Sequence, residues 1–511
     1  MLKLYDTYKK KLVIFKPIKK GKVTLYNCGP TVYYYLQIGN LRSYVFRDVL
    51  YRTLKYLGYD VTQAINITDV GHLTMTDEQK LAAIKPGEKL ENTDTEDGLD
   101  RMEKTAKQEG ITVWDVAKKY TDAIFGKGWE KRKTLGLDGD LGKMNIVRYD
   151  FLPKATDYIK EQIDYIKVLE KKGFTYKTKE AVYFDISKFP KYEKLTGQKF
   201  EDMKRGESAH EADPERKHPA DFRLWQLNQP DHAMQWDSPW GRGYPGWHIE
   251  CSAMARDLLG QPVDIHTGGE DHIKVHHPAE MAQAESAYER PMANYWLHNA
   301  FLTVDGGKMG KSLGNAYTMQ DVLDKGFDPM DLRYFYLQAH YRSKQNFTWK
   351  NLKDAMLSRK VLVKRVKELK KLAGNKAGVV LLTWDKEFIK AIEDDLNTPR
   401  AIAVARIMTK KGLSSGSKEK AEDILTTLLE FDKVFGLRLN EIVSENEDID
   451  KEIRKAIERL IEERKKARED KDWKKSDELR EKLLKEYGVK VEDTEEGVKW
   501  ELETENSKTI V

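Results

Sequence analysis

A strand, a turn, a helix and a second strand can be read in the first 68 residues, and this pattern constrains the fold more than any other feature. Residues 22–28 alternate and are rich in β-forming side chains, and Gly-Pro-Thr at 29–31 leads into a helical pattern that runs to Leu57. Residues 61–68 then form a second strand of the kind buried in a parallel sheet. The pattern predicts half of a βαβ unit, and therefore a Rossmann-like, doubly wound α/β domain.

The middle of the chain predicts an inserted subdomain. An amphipathic helix pattern at 159–169 is followed by a β-like run at 181–185, and α/β topology returns with a strand at 263–266 and a helix at 277–288. We therefore expect the parallel sheet to be split by the insertion and followed by C-terminal helical domains, because the pattern is helical from about 350 to 480. The polar stretch 73–110 is interpreted as a solvated excursion outside the core and has no assigned role.

Bulk properties limit the classes of protein without choosing one. The 511 residues predict three or four domains, and 89 Lys and Arg against 84 Asp and Glu permit nucleic-acid binding without demanding it. No apolar run approaches the roughly 18 residues that span a bilayer, and the N-terminus lacks the order of a signal peptide, so we expect a cytoplasmic protein that does not bind membranes. The two cysteines, Cys28 and Cys251, give no disulfide framework.

Two glycine-containing segments are candidates for binding ATP. In residues 308–312, Lys-Met-Gly-Lys-Ser, Lys308 and Lys311 can bring positive charge over the phosphates, and Lys311 is the first choice for that contact. An ordinary basic surface turn would explain these five residues equally well. In residues 37–40, Gln-Ile-Gly-Asn, a small Gly39 at a helix start permits close approach of phosphate, but a helix cap would have the same pattern.

A third set of residues has the chemistry of a metal site. Cys28, Cys251, His276 and Glu280 are all zinc-ligand types, and His276 and Glu280 share one helix face because they stand four residues apart. Their spacing is unlike a zinc finger, so a buried structural cysteine is the default for each thiol. Trp247 lies four residues before Cys251. Taken alone, it would be interpreted as an ordinary aromatic residue of the core.

Taken together and in order, these residues resemble the cysteinyl-tRNA synthetase family of class I aminoacyl-tRNA synthetases. Residues 37–40 stand where that family has its HIGH signature, and residues 308–312 stand where it has KMSKS. The resemblance extends over most of the chain. The further segments that support it are 26–31, 245–254, 264–271, 276–280, 333–335, 340–343, 394–399 and 471–494.

The resemblance implies a reaction, its cofactors and the residues that serve it. ATP and L-cysteine would form cysteinyl-adenylate and diphosphate, and tRNA(Cys) would then take the cysteine and release AMP. One Zn²⁺ would be held by Cys28, Cys251, His276 and Glu280 and joined by the substrate thiolate, and Mg²⁺ would accompany ATP. Thr68 and Trp247 would contact cysteine. The ATP site would comprise Gln37, Gly39, Asn40, Asp271, Lys308 and Lys311, of which Gln37, Asn40, Lys308 and Lys311 would be catalytic.

The resemblance also implies domain boundaries and a monomer. It places the catalytic domain at 1–125 and 236–302, with a connective insertion at 126–235. The KMSKS-containing stem-contact region would cover 303–355, a helical bundle 356–440 and an anticodon-binding domain 441–511.

The chain departs from the family pattern at the ATP site. Gln37 and Asn40 replace the two histidines of HIGH, and Gly310 turns KMSKS into KMGKS. Three alternatives stay open: an inactive paralogue, an enzyme that transfers cysteine from the adenylate to a small-molecule amine, and a non-catalytic RNA-binding protein. The tail that follows residue 356 argues against the second, and the retained lysines and zinc-ligand types argue against the third.

Overall fold

The computed structural model of the protein describes most of the chain. The described residues are 1–71, 101–131, 138–193, 197, 213–230, 232–310, 314–374, 376–414, 418–442, 451–470, 472–487, 489–494 and 497–502. Lys311 and residues 72–100 of the charged stretch lie outside them. None of the helices in these ranges is both long and apolar enough to cross a membrane.

The elements are numbered here in chain order. The strands are β1 Lys3–Asp6, β2 Lys11–Ile14, β3 Lys22–Asn27, β4 Asp60–Ile65, β5 Thr175–Lys177, β6 Ala181–Phe184, β7 Phe222–Gln226, β8 Tyr244–Pro245, β9 Val263–Gly269, β10 Ala293–Asn299, β11 Leu302–Val304, β12 Gln345–Phe347, β13 Val489–Thr494 and β14 Gly497–Leu502. The helices are α1 Ile38–Tyr56, α2 Arg101–Glu109, α3 Val113–Phe125, α4 Asp140–Lys143, α5 Ile159–Lys171, α6 Trp247–Leu259, α7 His276–Tyr288, α8 Met319–Asp324, α9 Pro329–Leu337, α10 Trp349–Ala373, α11 Leu382–Ile392, α12 Thr398–Ser414, α13 Lys418–Phe435, α14 Lys451–Glu469 and α15 Trp473–Tyr487.

A four-stranded parallel sheet forms the centre of the N-terminal part of the chain. Its strand order is β10-β9-β3-β4, so the chain winds outward from β3 through α1 to β4 and, in the other direction, from β9 through α7 to β10. The predicted Rossmann-like doubly wound sheet is thereby confirmed. The winding direction reverses between β3 and β9, and in such sheets a crevice forms at that point beside the carboxyl ends of the strands.

Helix α1 links this crevice to the core. It starts after Gln37, and its residues Leu41, Val45 and Val49 recur at helical spacing and are buried in the main hydrophobic cluster. The same helix also buries three charged side chains, Arg42, Arg47 and Asp48. Buried charges need specific partners, so these residues indicate where α1 contacts other parts of the protein.

The insertion lies between β4 and β9, as the sequence predicts. Its antiparallel sheet has the order β5-β6-β7-β8 and shares a hydrophobic cluster with α5, α6 and α7. Leu141, Met144 and Tyr149 instead pack in the main cluster with α1. The boundary at residue 126 remains a prediction.

Part of the stretch interpreted as solvated is core, and that interpretation is wrong for residues 101–106, whereas residues 107–110 are exposed. Helix α2 buries Met102 and Ala106 against the main cluster, together with Val116 and Tyr120 of α3. The apolar residues of α2 are few and stand among charged ones, so the sequence shows no clear amphipathic pattern. Tertiary packing nevertheless buries the face that carries them.

The C-terminal half is helical, as expected from its periodicity. Helices α10, α12 and α13 pack on one another, and α13 also contacts α1. Helices α14 and α15 form a separate small core with the first strand of a β13–β14 hairpin. The hairpin follows the predicted helical region.

Candidate active site and metal centre

Four potential metal ligands from distant parts of the chain meet in the crevice at the carboxyl ends of β3 and β9. Cys28 directly follows β3, Cys251 lies on α6, and His276 and Glu280 lie in the first turns of α7. All four are buried, and one ligand atom from each lies within 4.8 Å of the others. The structure therefore brings together the four residues that the sequence selected.

Hydrogen bonding and charge hold Glu280 ionised in this cluster. Its Oε1 lies 2.9 Å from His276 Nε2, and its Oε2 lies 2.7 Å from His266 Nε2. Burial alone would raise the pKa of Glu280, but the two histidines outweigh it and lower that pKa to about 2. Burial raises the pKa of both thiols, Cys28 and Cys251.

A second set of ligand atoms overlaps the first. Cys28, His266, His277 and Glu280 also converge within 4.8 Å, and the Cys28 Sγ lies 3.2 Å from His277 Nε2. Because the two sets share Cys28 and Glu280, they describe one centre in which His266 and His277 are alternatives to Cys251 and His276. Burial lowers the pKa of His277 well below its usual value, so its imidazole is neutral and can accept a cation.

The histidines around the cluster come from the strand register. In the β9–β10 pairing, Trp296 lies opposite His266 and His298 lies opposite Gly268, which puts the three polar or aromatic rings on one face. The Nε2 of His298 lies 2.7 Å from the Nδ1 of His277. Sequence reasoning gave His298 no role. The period-two spacing of Trp296 and His298 was the available signal.

Trp247 packs against a ligand of the cluster, and Thr68 is linked to Glu250, the neighbour of Cys251; their contact with cysteine stays a prediction. The Thr68 hydroxyl donates to Glu250 Oε2 at 2.7 Å and accepts from the Asn66 amide at 3.0 Å. The Trp247 ring lies 4.5 Å, centroid to centroid, from the His276 ring. Glu250 was missed by the sequence reasoning, although it directly precedes Cys251; burial raises its pKa to about 8.

The two candidate ATP segments lie side by side. Ile38 N–H donates to Tyr317 O at 2.8 Å, and Gln37 forms an isolated β-bridge with Thr318. A Cβ placed on Gly39 would come within 2.6 Å of Met309 Cε, so the glycine lets Met309 pack against the helix start. No local sequence pattern predicts this contact.

Local hydrogen bonds organise each ATP segment. Gln37 N–H donates to Asn40 Oδ1 at 3.0 Å, so Asn40 contributes the helix cap that was the alternative interpretation. The Asn40 amide group is still a donor. In the segment that begins at Lys308, the Asn315 side chain accepts a hydrogen bond from Gly310 N–H at 2.8 Å and donates one to Lys308 O at 3.1 Å.

Asp271 and Lys308 are exposed, as is Asn40 among the predicted ATP-site residues. Asp271 lies in the 3₁₀ turn Glu270–Lys274 that follows β9, with its Oδ2 3.6 Å from His272 Nε2. Lys308 lies in the exposed segment after β11. Their roles, and that of Lys311 outside the described residues, stay predictions.

The donor set suits a zinc ion. Ligand atoms of a tetrahedral zinc site lie about 3.3–3.8 Å apart, given bonds of about 2.0–2.3 Å, so small side-chain rotations would complete the geometry from the present separations of up to 4.8 Å. Two thiols with imidazole and carboxylate favour zinc over the hard cations Mg²⁺ and Ca²⁺. The buried cluster can therefore bind a metal ion.

Three family models match the chain. The catalytic domain of class I (C) tRNA synthetases matches residues 14–357, the DALR domain matches 387–440, and the cysteinyl-tRNA ligase anticodon-binding domain matches 450–500. The first alone covers more than half of the chain.

Relatives and solved structures agree with these models. The cysteine–tRNA ligase of Treponema denticola is 41% identical over 98% of this chain and 99% of its own length. That of Thermus thermophilus is 38% identical over 98% and 99%. The fold resembles Mycobacterium tuberculosis methionyl-tRNA synthetase in complex with methionyl-adenylate, with a TM-score of 0.52 at 14% identity, covering 81% of this chain and 90% of that one.

A second fold neighbour is the ternary LeuRS-tRNA-LeuAMS complex of Agrobacterium radiobacter K84, with a TM-score of 0.57 at 11% identity, covering 84% of this chain and 86% of the neighbour. The expected family is confirmed. The chain belongs to the cysteine–tRNA ligase family of class I aminoacyl-tRNA synthetases, ligases that attach cysteine to tRNA.

Proposed function

We propose that Cys28, Cys251, His276 and Glu280 bind one Zn²⁺ and that this site selects cysteine for the family's reaction. The observation that supports it most is the convergence of two buried thiols with a buried imidazole and carboxylate. Serine differs from cysteine by one atom, which a hydrophobic pocket discriminates poorly. When bound, zinc would supply a soft Lewis acid that prefers a thiolate to a hydroxyl.

Thr68 and Trp247 orient the amino acid beside this centre. The Thr68 hydroxyl is fixed by Glu250 and Asn66, so it offers a pre-positioned oxygen to the substrate's ammonium group. The Trp247 ring, packed on His276, forms an apolar wall that keeps water from the substrate side chain.

ATP, which arrives with Mg²⁺, is bound by Gln37, Gly39, Asn40, Asp271, Lys308 and Lys311. The packing of Met309 against Gly39 supports joint action of the two segments, because it brings the backbone of Lys308 to the start of α1. The helix N-terminus and the amides attract phosphate, and the lysines stabilise the charge that develops as diphosphate leaves.

The reaction has two steps, each of which conserves atoms and charge. The cysteine carboxylate attacks the α-phosphorus of ATP and displaces diphosphate, which gives cysteinyl-adenylate. A ribose hydroxyl at the end of tRNA(Cys) then attacks the adenylate carbonyl carbon, loses its proton and displaces AMP. The chain's contribution is positioning and electrostatic stabilisation.

The domains that follow the catalytic domain bind different parts of the tRNA. Residues 441–511 recognise the anticodon, 356–440 form the bundle between, and 303–355 contact the stem, with a catalytic domain at 1–125 and 236–302 and an insertion at 126–235. The matches of the DALR and anticodon-binding models support the two C-terminal assignments. The enzyme acts as a monomer in the cytoplasm.

The test is ATP–diphosphate exchange on the purified full chain, with cysteine or serine and with or without a zinc chelator. Exchange driven by cysteine alone and lost on chelation is the expected result, with one zinc per chain by metal analysis. Cys251→Ser should lose both the zinc and the exchange. The absence of exchange from folded, zinc-loaded protein would support the non-catalytic alternative, and exchange that survives complete zinc removal would refute zinc-based selection.

The acceptor is tested separately by charging of tRNA(Cys). Transfer of cysteine to the tRNA is expected. Exchange without transfer, in the presence of intact tRNA(Cys), would favour the alternative in which a small amine takes the cysteine.

A further inference from the structure

Arg47 is a buried cation that no carboxylate neutralises. Its side chain comes from the middle of α1 and is only 4% exposed. One guanidinium nitrogen, NH1, donates to the Cys28 carbonyl oxygen at 2.5 Å, whereas the buried Nε has no hydrogen-bond partner. Fully buried arginines are rare unless they are paired with an anion, so this arrangement calls for a nearby negative group.

The groups around Arg47 do not provide that anion. Its guanidinium lies 5.1 Å from the ring centroid of Tyr44, and burial raises the pKa of Tyr44 and of nearby Tyr149, so both phenols are neutral. Asp48, its neighbour in the chain, already pairs with Arg52 and Arg333. Within the described ranges, no carboxylate lies within ion-pair distance of Arg47.

The metal-loaded cluster would carry surplus negative charge next to Arg47. Two thiolates and the Glu280 carboxylate hold one more negative charge than a divalent ion neutralises, and the substrate thiolate adds another. A net negative centre inside a protein is costly unless a cation lies nearby. Arg47 is attached to the backbone of one of these ligands.

We propose that Arg47 is the counter-charge of the loaded metal centre: a positioning residue that acts through Cys28 and strengthens the binding of both zinc and the substrate thiolate. This inference rests on the zinc site proposed above. The alternative is a purely structural role, in which Arg47 only ties α1 to the end of β3 through the Cys28 carbonyl.

The two roles predict opposite effects on the metal-free protein. If Arg47 is a counter-charge, it is uncompensated until the metal binds, so Arg47→Met should leave the melting temperature of the metal-free protein unchanged or higher. If Arg47 is structural, the same substitution should lower that temperature. A destabilised or unfolded metal-free Arg47→Met protein would therefore overturn the proposal.

Zinc affinity is the direct measurement. Competition with a chromophoric chelator should show that Arg47→Met binds zinc at least about tenfold more weakly, the effect of losing one nearby unit charge. Arg47→Lys, which keeps the charge, should recover most of the affinity. In exchange assays at saturating zinc, Arg47→Met should raise the KM for cysteine more than it lowers kcat.

A matched control keeps the charge of Arg47 and changes the neighbouring Tyr44. Tyr44→Phe removes a hydroxyl that hydrogen-bonds with Arg47 but retains the ring beside the guanidinium, and it should leave zinc affinity within about threefold because the charge on Arg47 is unchanged. Equal zinc affinity of Arg47→Met and the unsubstituted chain would refute the counter-charge role. Failure of the unsubstituted chain itself to bind zinc would instead refute the site proposed above.

Discussion

Asp48 is the residue whose substitution tests the coupling between α1 and the C-terminal helices. Its carboxylate accepts from Arg52 Nε at 2.7 Å and from Val147 N–H at 2.8 Å, and it forms a buried ion pair with Arg333. Arg333, on α9, is fully buried and also donates to Phe435 O at 2.6 Å. The carboxylate thus joins α1, the segment after α4 and α9, and Arg333 extends the link to the end of α13.

Asp48→Asn keeps the size of the side chain and removes its charge. Breaking a buried pair in this way leaves an uncompensated arginine, which costs about 3–5 kcal/mol. The asparagine oxygen can still accept one hydrogen bond, so we expect a loss near 3 kcal/mol in the apparent free energy of unfolding of the unit that contains both residues. Urea unfolding followed by tryptophan fluorescence at pH 7 measures it.

The same substitution has a defined pH dependence. Burial opposes ionisation of Asp48, but Arg52 and Arg333 outweigh it, so the pKa of Asp48 is lower in the folded protein than in the unfolded chain. The stabilisation is therefore complete above the unfolded pKa of about 3.9 and is lost as the pH falls through the folded pKa. The difference between the two proteins should be full at pH 7 and shrink below about pH 4.

Two comparisons decide whether the buried pair is the cause. Adding Arg333→Met to Asp48→Asn removes the stranded cation and should recover a large part of the loss. Asp164→Asn, the matched control, removes a carboxylate whose partners Lys160 and Lys167 are solvent-exposed, and should have no measurable effect. A loss below about 1 kcal/mol for Asp48→Asn would show that Arg333 does not need the carboxylate, because carbonyl oxygens alone would then suffice for it.

Three further substitutions test the active site. Gly29→Ala should destabilise the catalytic half by at least about 2 kcal/mol in urea unfolding, because its Cβ would lie 1.6 Å from the backbone oxygen of Asn66; unchanged stability would show that this turn can move. Thr68→Val keeps the shape of the side chain but removes the hydroxyl bound to Glu250, so the KM for cysteine in exchange assays should rise about tenfold with zinc content unchanged. An unchanged KM would show that Thr68 is not part of the substrate site. Lys308→Ala should slow exchange at saturating substrates by about 10²-fold without lowering the melting temperature, and an unchanged rate would contradict its assigned contact with phosphate.

Local sequence patterns and side-chain chemistry were enough to predict the fold class and the type of site. Strand and helix periodicities at 22–68 and 263–288 predicted the doubly wound sheet, because residues buried on a sheet or on a helix face leave a local repeat. The thiols, the imidazole and the carboxylate could be identified as zinc-ligand types from their side chains alone. Their order along the chain, with residues 37–40 and 308–312, indicated the family.

Which side chains meet depends on packing between distant segments, which local patterns do not predict. Cys28 and Cys251 converge because β3 and β9 are neighbours in the sheet and α6 packs beside them, a contact between distant segments that leaves no local repeat. The register of β9 and β10 brings His298 to His277, and packing buries the sparse apolar face of α2. Arg47 illustrates the difference best: in the sequence it is one arginine on a helix, and its unneutralised charge beside Cys28 emerges only when burial and every neighbouring anion are known.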